Sequence, residues 1–333
     1  MRQAGPVTSL DVARAAGVNQ ATVSRAFTAG ASIADATRER VFATARRLGY
    51  RPNAIARSLI TRRSRMIAMV VSYLDNQFYP QIIERMSQRL QDDGYRLLLF
   101  VSDTDRADAL LGQLMQYQID GLVLLSVRLS SALARDCARA GIPVVLFNRI
   151  DASRSAGSVS SDNVEGGRIA ARTLAAAGHR RIAFIAGLED SSTSRDRERG
   201  LVEALGETPL FARAVGHYRF DGAQAATRLL FKSRKSRPDA LFVANDHMAI
   251  AAMDTLRHEL GLRVPEEVSV IGFDDVPQAA WDSYRLTTLE QAAEPMVEAT
   301  VRMLLARIDD DAAPPARVVT PVLLIERATV RQG

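Results

Sequence analysis

Cysteine is almost missing from this chain. Cys137 stands alone, so no internal disulfide is available, and a reducing compartment suits it. No neighbour in sequence would activate its thiol, and Cys137 is read as a small buried side chain. No apolar run approaches the roughly 20 residues that span a bilayer, so no membrane partner is expected. Met1 to Leu10 lack the apolar core of a signal peptide, which points to a cytoplasmic protein. The four histidines, His179, His217, His247 and His258, are scattered without metal-ligand spacing. There is no Gly-x-Gly-x-x-Gly after a strand and no Gly-Lys-Ser/Thr phosphate loop. Asp274 and Asp275 imitate a carboxylate pair, but adjacent residues rarely aim at one bond, so ligand binding is the better reading. These absences argue against an enzyme, and no metal or cofactor is expected.

What is present is an ordinary globular composition with an uneven charge. The chain has 333 residues, 47% hydrophobic and 24% charged, enough for two or three domains. Residues 1–65 hold 12 arginines, no lysine and three acids (Asp11, Asp35, Glu39), a net of +9. The other residues hold 31 bases against 35 acids, a net of −4. A basic head on a mildly acidic body implies that the head is the part that meets a polyanion.

Residues 1–50 read as three short helices. Ser9 is a candidate N-cap, with Leu10, Ala13 and Ala16 at helical spacing, and Gly17 suits a left-handed exit. Asn19 caps a second helix running to about Phe27, with Val23, Ala26 and Phe27 turned inward. A third, from Asp35 or Thr37 to Leu48, has Val41, Phe42, Ala45 and Leu48 on its inner stripe and ends at Gly49. Two short helices joined by a glycine-containing turn form a helix-turn-helix, whose second helix enters the major groove. Gln20, Ala21 and Arg25 are then free to face DNA, Arg25 being able to bond guanine bidentately. Thr22 and Ser24 suit phosphate or base edges, and Thr8, Ser9 and Asn19 complete the candidate DNA-contacting set.

Residues 51–65 contain Arg51-Pro52-Asn53-Ala54-Ile55-Ala56-Arg57-Ser58-Leu59. Pro52 ends what precedes it and Asn53 caps a helix of one or two turns, too short to be stable alone. Asn53, Ala56, Arg57 and Leu59 are its candidate DNA contacts, with Leu59 an apolar wedge suited to the minor groove. The Ala-Thr-Val-Ser-Arg run and the Arg-Pro-Asn-Ala-Ile-Ala-Arg-Ser-Leu run together resemble the LacI/GalR (lactose-repressor) family, and the order of the body resembles it too. The resemblance implies a repressor that binds a near-palindromic operator in double-stranded DNA as a homodimer, with paired hinge helices wedging Leu59 into the operator centre. Some relatives carry a leucine-heptad tail that makes tetramers. This chain stops at Gly333 soon after its last strand, so dimers are expected.

From Met66 onward, strands and amphipathic helices alternate. Strands are expected over 67–72, 96–101, 121–125, 143–147, 181–186, 240–244 and 268–273. Helices are expected over 79–92, 107–117, 131–140, 164–177, 196–205, 222–231 and 247–260. The alternation argues for parallel sheets with right-handed crossovers. The fold class is α/β: a small all-α helix-turn-helix head (1–50), a hinge helix and linker (51–65), and a two-lobed, periplasmic-binding-protein-like body (66–333). The lobes are drawn at 66–161 plus 292–318 and 162–291 plus 319–333. A helix over 290–308 and a strand over 318–325 cross between them.

Ligands in such sheets bind beyond the carboxyl ends of strands, where Asn76, Phe78, Asp103, Ser126, Asn148, Asn245 and Asp274 fall. Singly, each is better explained as a solvated loop residue or helix cap; their recurrence at equivalent strand ends shifts the balance to a polar cleft. The resemblance implies that Asn76-Gln77-Phe78-Tyr79 enters a sugar site, that Arg197 contacts the effector, and that Phe220 stacks on it. Asn245 and Asp274 would bond its hydroxyls. Asn148 stands where relatives often have aspartate. Arg197 and Asp274 are expected on facing walls of one interlobe cleft, with Phe220 near them. The chemistry suits a small polar effector: a sugar, a sugar acid that Arg197 would pair, or a nucleoside-like molecule. A free-standing sugar-binding protein or a sugar-modifying enzyme would share this body, but neither accounts for residues 1–65.

Leu59→Ala is expected to weaken binding to the operator far more than binding to random DNA, because a wedge acts only where the DNA centre can kink. Equal losses on the two DNAs, measured by fluorescence anisotropy, would make Leu59 an ordinary linker residue.

Overall fold

The chain divides into two units, 1–64 and 65–333. The computed structural model describes residues 7–28, 30–51, 63–101, 114, 116–127, 129–150, 155–310 and 313–332.

In the first unit, α1 (Ser9–Ala16), α2 (Gln20–Ala26) and α3 (Asp35–Leu48) pack around Val12, Ala13, Ala16, Val23, Ala26, Val41 and Ala45. Phe27 closes this small core, its ring 5.0 Å from that of Phe42 and 5.8 Å from that of Tyr50. Two expectations are corrected here. The N-cap of α1 is Thr8, not Ser9: Asp11 N–H donates to Thr8 Oγ1 while Thr8 N–H donates to Asp11 Oδ2 at 2.9 Å. This reciprocal pair satisfies two orphan groups at once, and Ser9 becomes the first helical residue. Leu10 is 44% exposed, and Val12 takes its place in the core. Gly17 leaves α1 at φ 65°, a region open to glycine without a Cβ clash, which lets α2 start three residues later, at Gln20.

The second unit contains two six-stranded sheets. In the first sheet the strands are β1 (Met66–Val71), β2 (Arg96–Val101), β3 (Gly121–Leu125), β4 (Val144–Phe147), β5 (Gly157–Ser161) and β11 (Arg317–Thr320), in the order β11-β5-β4-β3-β1-β2. The second has β6 (Ile182–Ala186), β7 (Ala212–Val215), β8 (Ala240–Val243), β9 (Ser269–Asp274), β10 (Thr287–Gln291) and β12 (Val322–Ile325), in the order β12-β10-β9-β8-β6-β7. All pairings are parallel except β10 with β12. The same winding is therefore made twice, each with its order reversing beside its first strand. That reversal is where open α/β sheets open a crevice.

The helices that cover these sheets are α4 (Phe78–Asp92), α5 (Ser131–Arg139), α6 (Asn163–Ala176), α7 (Ser192–Leu205), α8 (Phe220–Leu230), α9 (Asp246–Asp254) and α10 (Ala293–Asp309). Strands such as Leu122–Leu125 and Ala240–Val243 are apolar throughout and fully buried, as strands covered on both faces must be. The single strand expected over 318–325 is in fact two. Pro321 has no N–H to continue a ladder, and the chain changes sheets there, β11 pairing with β5 and β12 with β10. Residue 290, expected to open a helix, is in β10, and α10 starts at Ala293. The expected helix over 107–117 lies mostly outside the described residues.

Cys137 is buried among apolar neighbours, and burial pushes its thiol up to about 11. His179 is buried too, with Nε2 2.8 Å from Ser269 Oγ and Nδ1 3.3 Å from the Asp239 carboxylate. Both sit in the framework of the fold. Among the described residues no helix is long and apolar enough to cross a membrane.

The closest packing is between α6 and α7. A Cβ on Gly167 would collide with Arg197 O, and one on Gly200 with Val164 O. These obstacles are backbone, so no side-chain rotation relieves them. Gly200→Ala is expected to lower the unfolding free energy in urea by about 2–3 kcal/mol. An unchanged midpoint would show that the two helices separate without cost.

Candidate functional site

The polar residues singled out in the body fall at the carboxyl ends of strands. Asn76 follows β1, Ser126 follows β3, Asn148 follows β4, Asn245 follows β8 and caps α9, and Asp274 ends β9. Phe78 opens α4 and is buried against Phe147 and Tyr79. Asp103 lies outside the described residues. Ser126, Asn148 and Asp274 have positive φ angles of 54°, 57° and 127°. Side chains rarely adopt such backbone, at about 1–3 kcal/mol each, and strain of this kind gathers where ligands are held.

Asp274, 5% exposed, is the centre of the arrangement. Asn76 Nδ2 donates to its Oδ2 at 3.0 Å, and Gln291 Nε2 donates to its Oδ1 at 2.6 Å. Arg197 Nη1 lies 3.9 Å away. Asn76 lies between β1 and α4 of the first lobe and Asp274 ends β9 of the second, so this carboxylate joins the two lobes directly. The expectation that Arg197 and Asp274 face each other across the cleft is corrected: both stand on the second lobe, and the residue facing Asp274 is Asn76.

Arg197, 2% exposed, is held from three sides. Its Nε donates to Asn163 Oδ1 at 2.8 Å, its Nη1 donates to Ala244 O, and its guanidinium lies over the Phe273 ring, 3.5 Å from the centroid. Asn163 in turn donates to Ser160 Oγ at 3.0 Å and Ser161 O at 2.8 Å. Ser161 Oγ donates to Gln291 Oε1 at 2.8 Å. Ser161, Asn163 and Gln291 sit where the chain passes between the sheets, so the network runs from the cleft into two of these crossings.

Sequence reasoning missed Asn163 and Gln291. Asn163 follows Ser160-Ser161-Asp162 and reads as a turn or cap, while Gln291 was absorbed into an expected helix. The available signal was position: both flank a predicted passage between lobes.

Three tyrosines form an aromatic side to the cleft. Tyr73 stacks on Tyr218 with centroids 6.4 Å apart and meets Tyr79 edge-on at 5.4 Å. Tyr79 hydroxyl bonds Ser126 Oγ, and Tyr218 hydroxyl lies 3.1 Å from Thr193 Oγ1. Phe220 is 37% exposed at the start of α8, edge-on at 5.7 Å to His247, which follows Asn245 by two residues.

Four buried polar atoms here have no hydrogen-bond partner among the described residues: Arg197 Nη2, Asn245 Nδ2, Arg149 Nε and Asn148 Oδ1. Three are donors and one an acceptor. Unpaired buried groups of this kind each cost about 1–3 kcal/mol, which a hydroxyl-bearing or oxyanionic ligand would recover.

In the head, the candidate contacts fall on one exposed side. Gln20, Ala21, Ser24 and Arg25 are exposed, while Val23 and Ala26 point into the core. Gln20 Nε2 donates to Ser9 Oγ at 2.9 Å, fixing the start of α2 against α1. Asn19 accepts from Thr22 N–H at 2.7 Å and from its hydroxyl at 2.8 Å, so Asn19 and Thr22 are engaged in capping. Asn53, Ala56, Arg57 and Leu59 lie outside the described residues.

Comparison with known proteins agrees with both parts. Residues 8–53 match the bacterial regulatory proteins of the lacI family, and residues 171–330 match a periplasmic binding protein-like domain. The chain is 35% identical to the HTH-type transcriptional regulator CelR of Thermobifida fusca, over 95% of this chain and 96% of that one. A solved CelR–cellobiose complex superposes with a TM-score of 0.73 at 33% identity, covering 97% of this chain and 99% of the other. A lac repressor dimer bound to operator and the anti-inducer ONPF superposes with a TM-score of 0.86 at 29% identity, covering 98% and 99%.

Asp246 lies behind Asp274, fully buried. It accepts from Thr288 Oγ1 at 2.5 Å and from Val276 N–H at 3.0 Å. Burial raises both carboxyls, Asp246 to about 7 and Asp274 to about 6, and the Asp274 charge adds to the rise at Asp246. The two titrate as a pair. Folded-state values above the ordinary aspartate value mean that stability is fully present below that value and is lost as pH rises through about 6 to 7. Replacing Asp246 with asparagine removes one of the two titrations. The melting temperature of Asp246→Asn relative to the parent is therefore expected to rise from about pH 5 to about pH 8. A constant difference across that range would show that Asp246 does not titrate there.

Proposed function

The chain belongs to the LacI family of bacterial regulatory proteins, and we propose that it is a transcriptional repressor that binds a near-palindromic operator as a homodimer, under the control of a sugar or sugar derivative. The observation that carries the effector half is the set of buried polar atoms with no hydrogen-bond partner among the described residues, Arg197 Nη2, Asn245 Nδ2, Arg149 Nε and Asn148 Oδ1. Three donors and an acceptor beside tyrosine rings suit a molecule with several oxygens and a ring face. The cellobiose bound by CelR and the operator bound by the lac repressor support the same reading. The basic charge of the head supplies the attraction to DNA, which is expected to weaken with salt as counterions are released. That CelR is a regulator supports a cytoplasmic, non-enzymatic role here.

The mechanism follows from Asp274. Its bond to Asn76 joins the two lobes, and its bond to Gln291 reaches a crossing between them. An effector hydroxyl that competes for this carboxylate changes the energy of lobe closure. Closure sets the spacing of the two hinge segments in a dimer. The effector can shift DNA affinity only by its preference for one closure state, typically about 1–3 kcal/mol.

A thermal-shift screen of neutral sugars, sugar acids and nucleosides would identify the effector, since a ligand of the folded state raises apparent stability. With it in hand, a gel-shift titration of Asp274→Ala is expected to show the effector response lost, with operator affinity in its absence changed much less. Normal effector sensitivity in both Asp274→Ala and Arg197→Ala would place the pocket elsewhere.

A further inference from the structure

A second concavity opens on the second lobe, at the first residue of β10 rather than at its last, where Gln291 meets Asp274. It is bounded by the C-terminal half of α6, Thr287 and residues 326–332, and has a volume of about 480 Å³. That is within the range of small-molecule sites, roughly 300–1,000 Å³. Arg172, Arg327 and Arg331 line it against one carboxylate, Glu326. We propose that this groove binds a compact oxyanion, a phosphate- or carboxylate-bearing metabolite, at a site separate from the effector cleft.

The three guanidiniums play different parts. Arg327 is largely committed, with Nη1 donating to Leu286 O at 2.8 Å and Nη2 2.7 Å from Asp275 Oδ1, so it contributes mainly its position. Arg331 is half-buried and fixed: its Nε donates to Ala177 O at 3.1 Å and its backbone N–H to Ser269 Oγ at 3.0 Å. Both its Nη atoms are left for a ligand among the described residues. Arg172, on α6, also lines the groove and uses one Nη, on Glu165. Two guanidiniums lining one groove, each with donors to spare, form an arrangement that holds an oxyanion by charge-assisted bonds. Thr173 and Thr287 add hydroxyls to the lining, and Ala176, Ala177 and Val330 give it an apolar side. The lining thus suits an anion with a short carbon skeleton as well as a bare ion.

The site does not depend on the regulator reading, because neither DNA nor sugar enters its test. Inorganic phosphate and, separately, citrate are titrated calorimetrically into the full chain at constant ionic strength. Arg172→Gln is compared with Arg168→Gln, a control on the same helix that shares the partner Glu165 but does not line the groove. Arg172 is exposed, so its replacement leaves the fold intact. Saturable binding that falls about tenfold in Arg172→Gln and is unchanged in Arg168→Gln supports the site. Tighter phosphate than citrate would assign it to phosphoryl groups, and the reverse to carboxylates. No saturable binding, or equal binding in the two variants because the basic head takes up the anion, overturns the proposal.

Discussion

One buried carboxylate governs the body of this protein. Asp274 is held at the end of β9 in a backbone conformation that side chains avoid, away from water. An ionised carboxylate so placed needs partners on every side. It finds Asn76 on the other lobe, Gln291 at a crossing, and Arg197 near by. Removing any of these leaves charge unsatisfied, so the position of each lobe is tied to the state of one side chain. The cation that balances it is itself anchored by Asn163, Ala244 O and the Phe273 ring. The polar network is therefore continuous from the cleft to the segments about which the lobes would turn.

The tightness of α6 against α7 belongs to the same design. Arg197 is on α7, and Asn163, which orients it, starts α6. Gly167 and Gly200 let the two helices approach until backbone meets backbone. Close approach removes the slack that would let the guanidinium wander, a requirement for any site whose ligand must distinguish two closure states.

How much of this was legible in the sequence depended on what carries the signal. Apolar strands such as β1, β3, β8 and β9 announce themselves by composition. β5 (Gly-Ser-Val-Ser-Ser) does not: it is buried but polar, because its serines feed the crossing network and not a hydrophobic core. β7 and β10, short or threonine-rich, were missed for similar reasons. The strand-end rule located Asn76, Asn148, Asn245 and Asp274 because topology alone puts those positions at a crevice. The lobe bounds drawn from the sequence already put Arg197 and Asp274 on one lobe, against the expectation of facing walls; that the two are neighbours could not be read, since it depends on how α7 lies on its sheet. Thr8 was passed over for Ser9 because both hydroxyls suit a cap. Only the reach of the Asp11 carboxylate back to Thr8 decides between them.

The change of sheet at Pro321 has a consequence for the order in which the molecule can be made. β11 finishes the first sheet and β12 the second, and both come from the last part of the chain, after α10 has passed from one lobe to the other. A ribosome releasing this chain from its N-terminus would thus hold two incomplete sheets, each with an uncovered edge, until residues 317–325 emerge. The head, whose core is built from Val12 to Ala45, has no such delay. Completion of both lobes is then a single late event, and the period before it is when unpaired strand edges on β5 and β10 are most open to pairing with other chains.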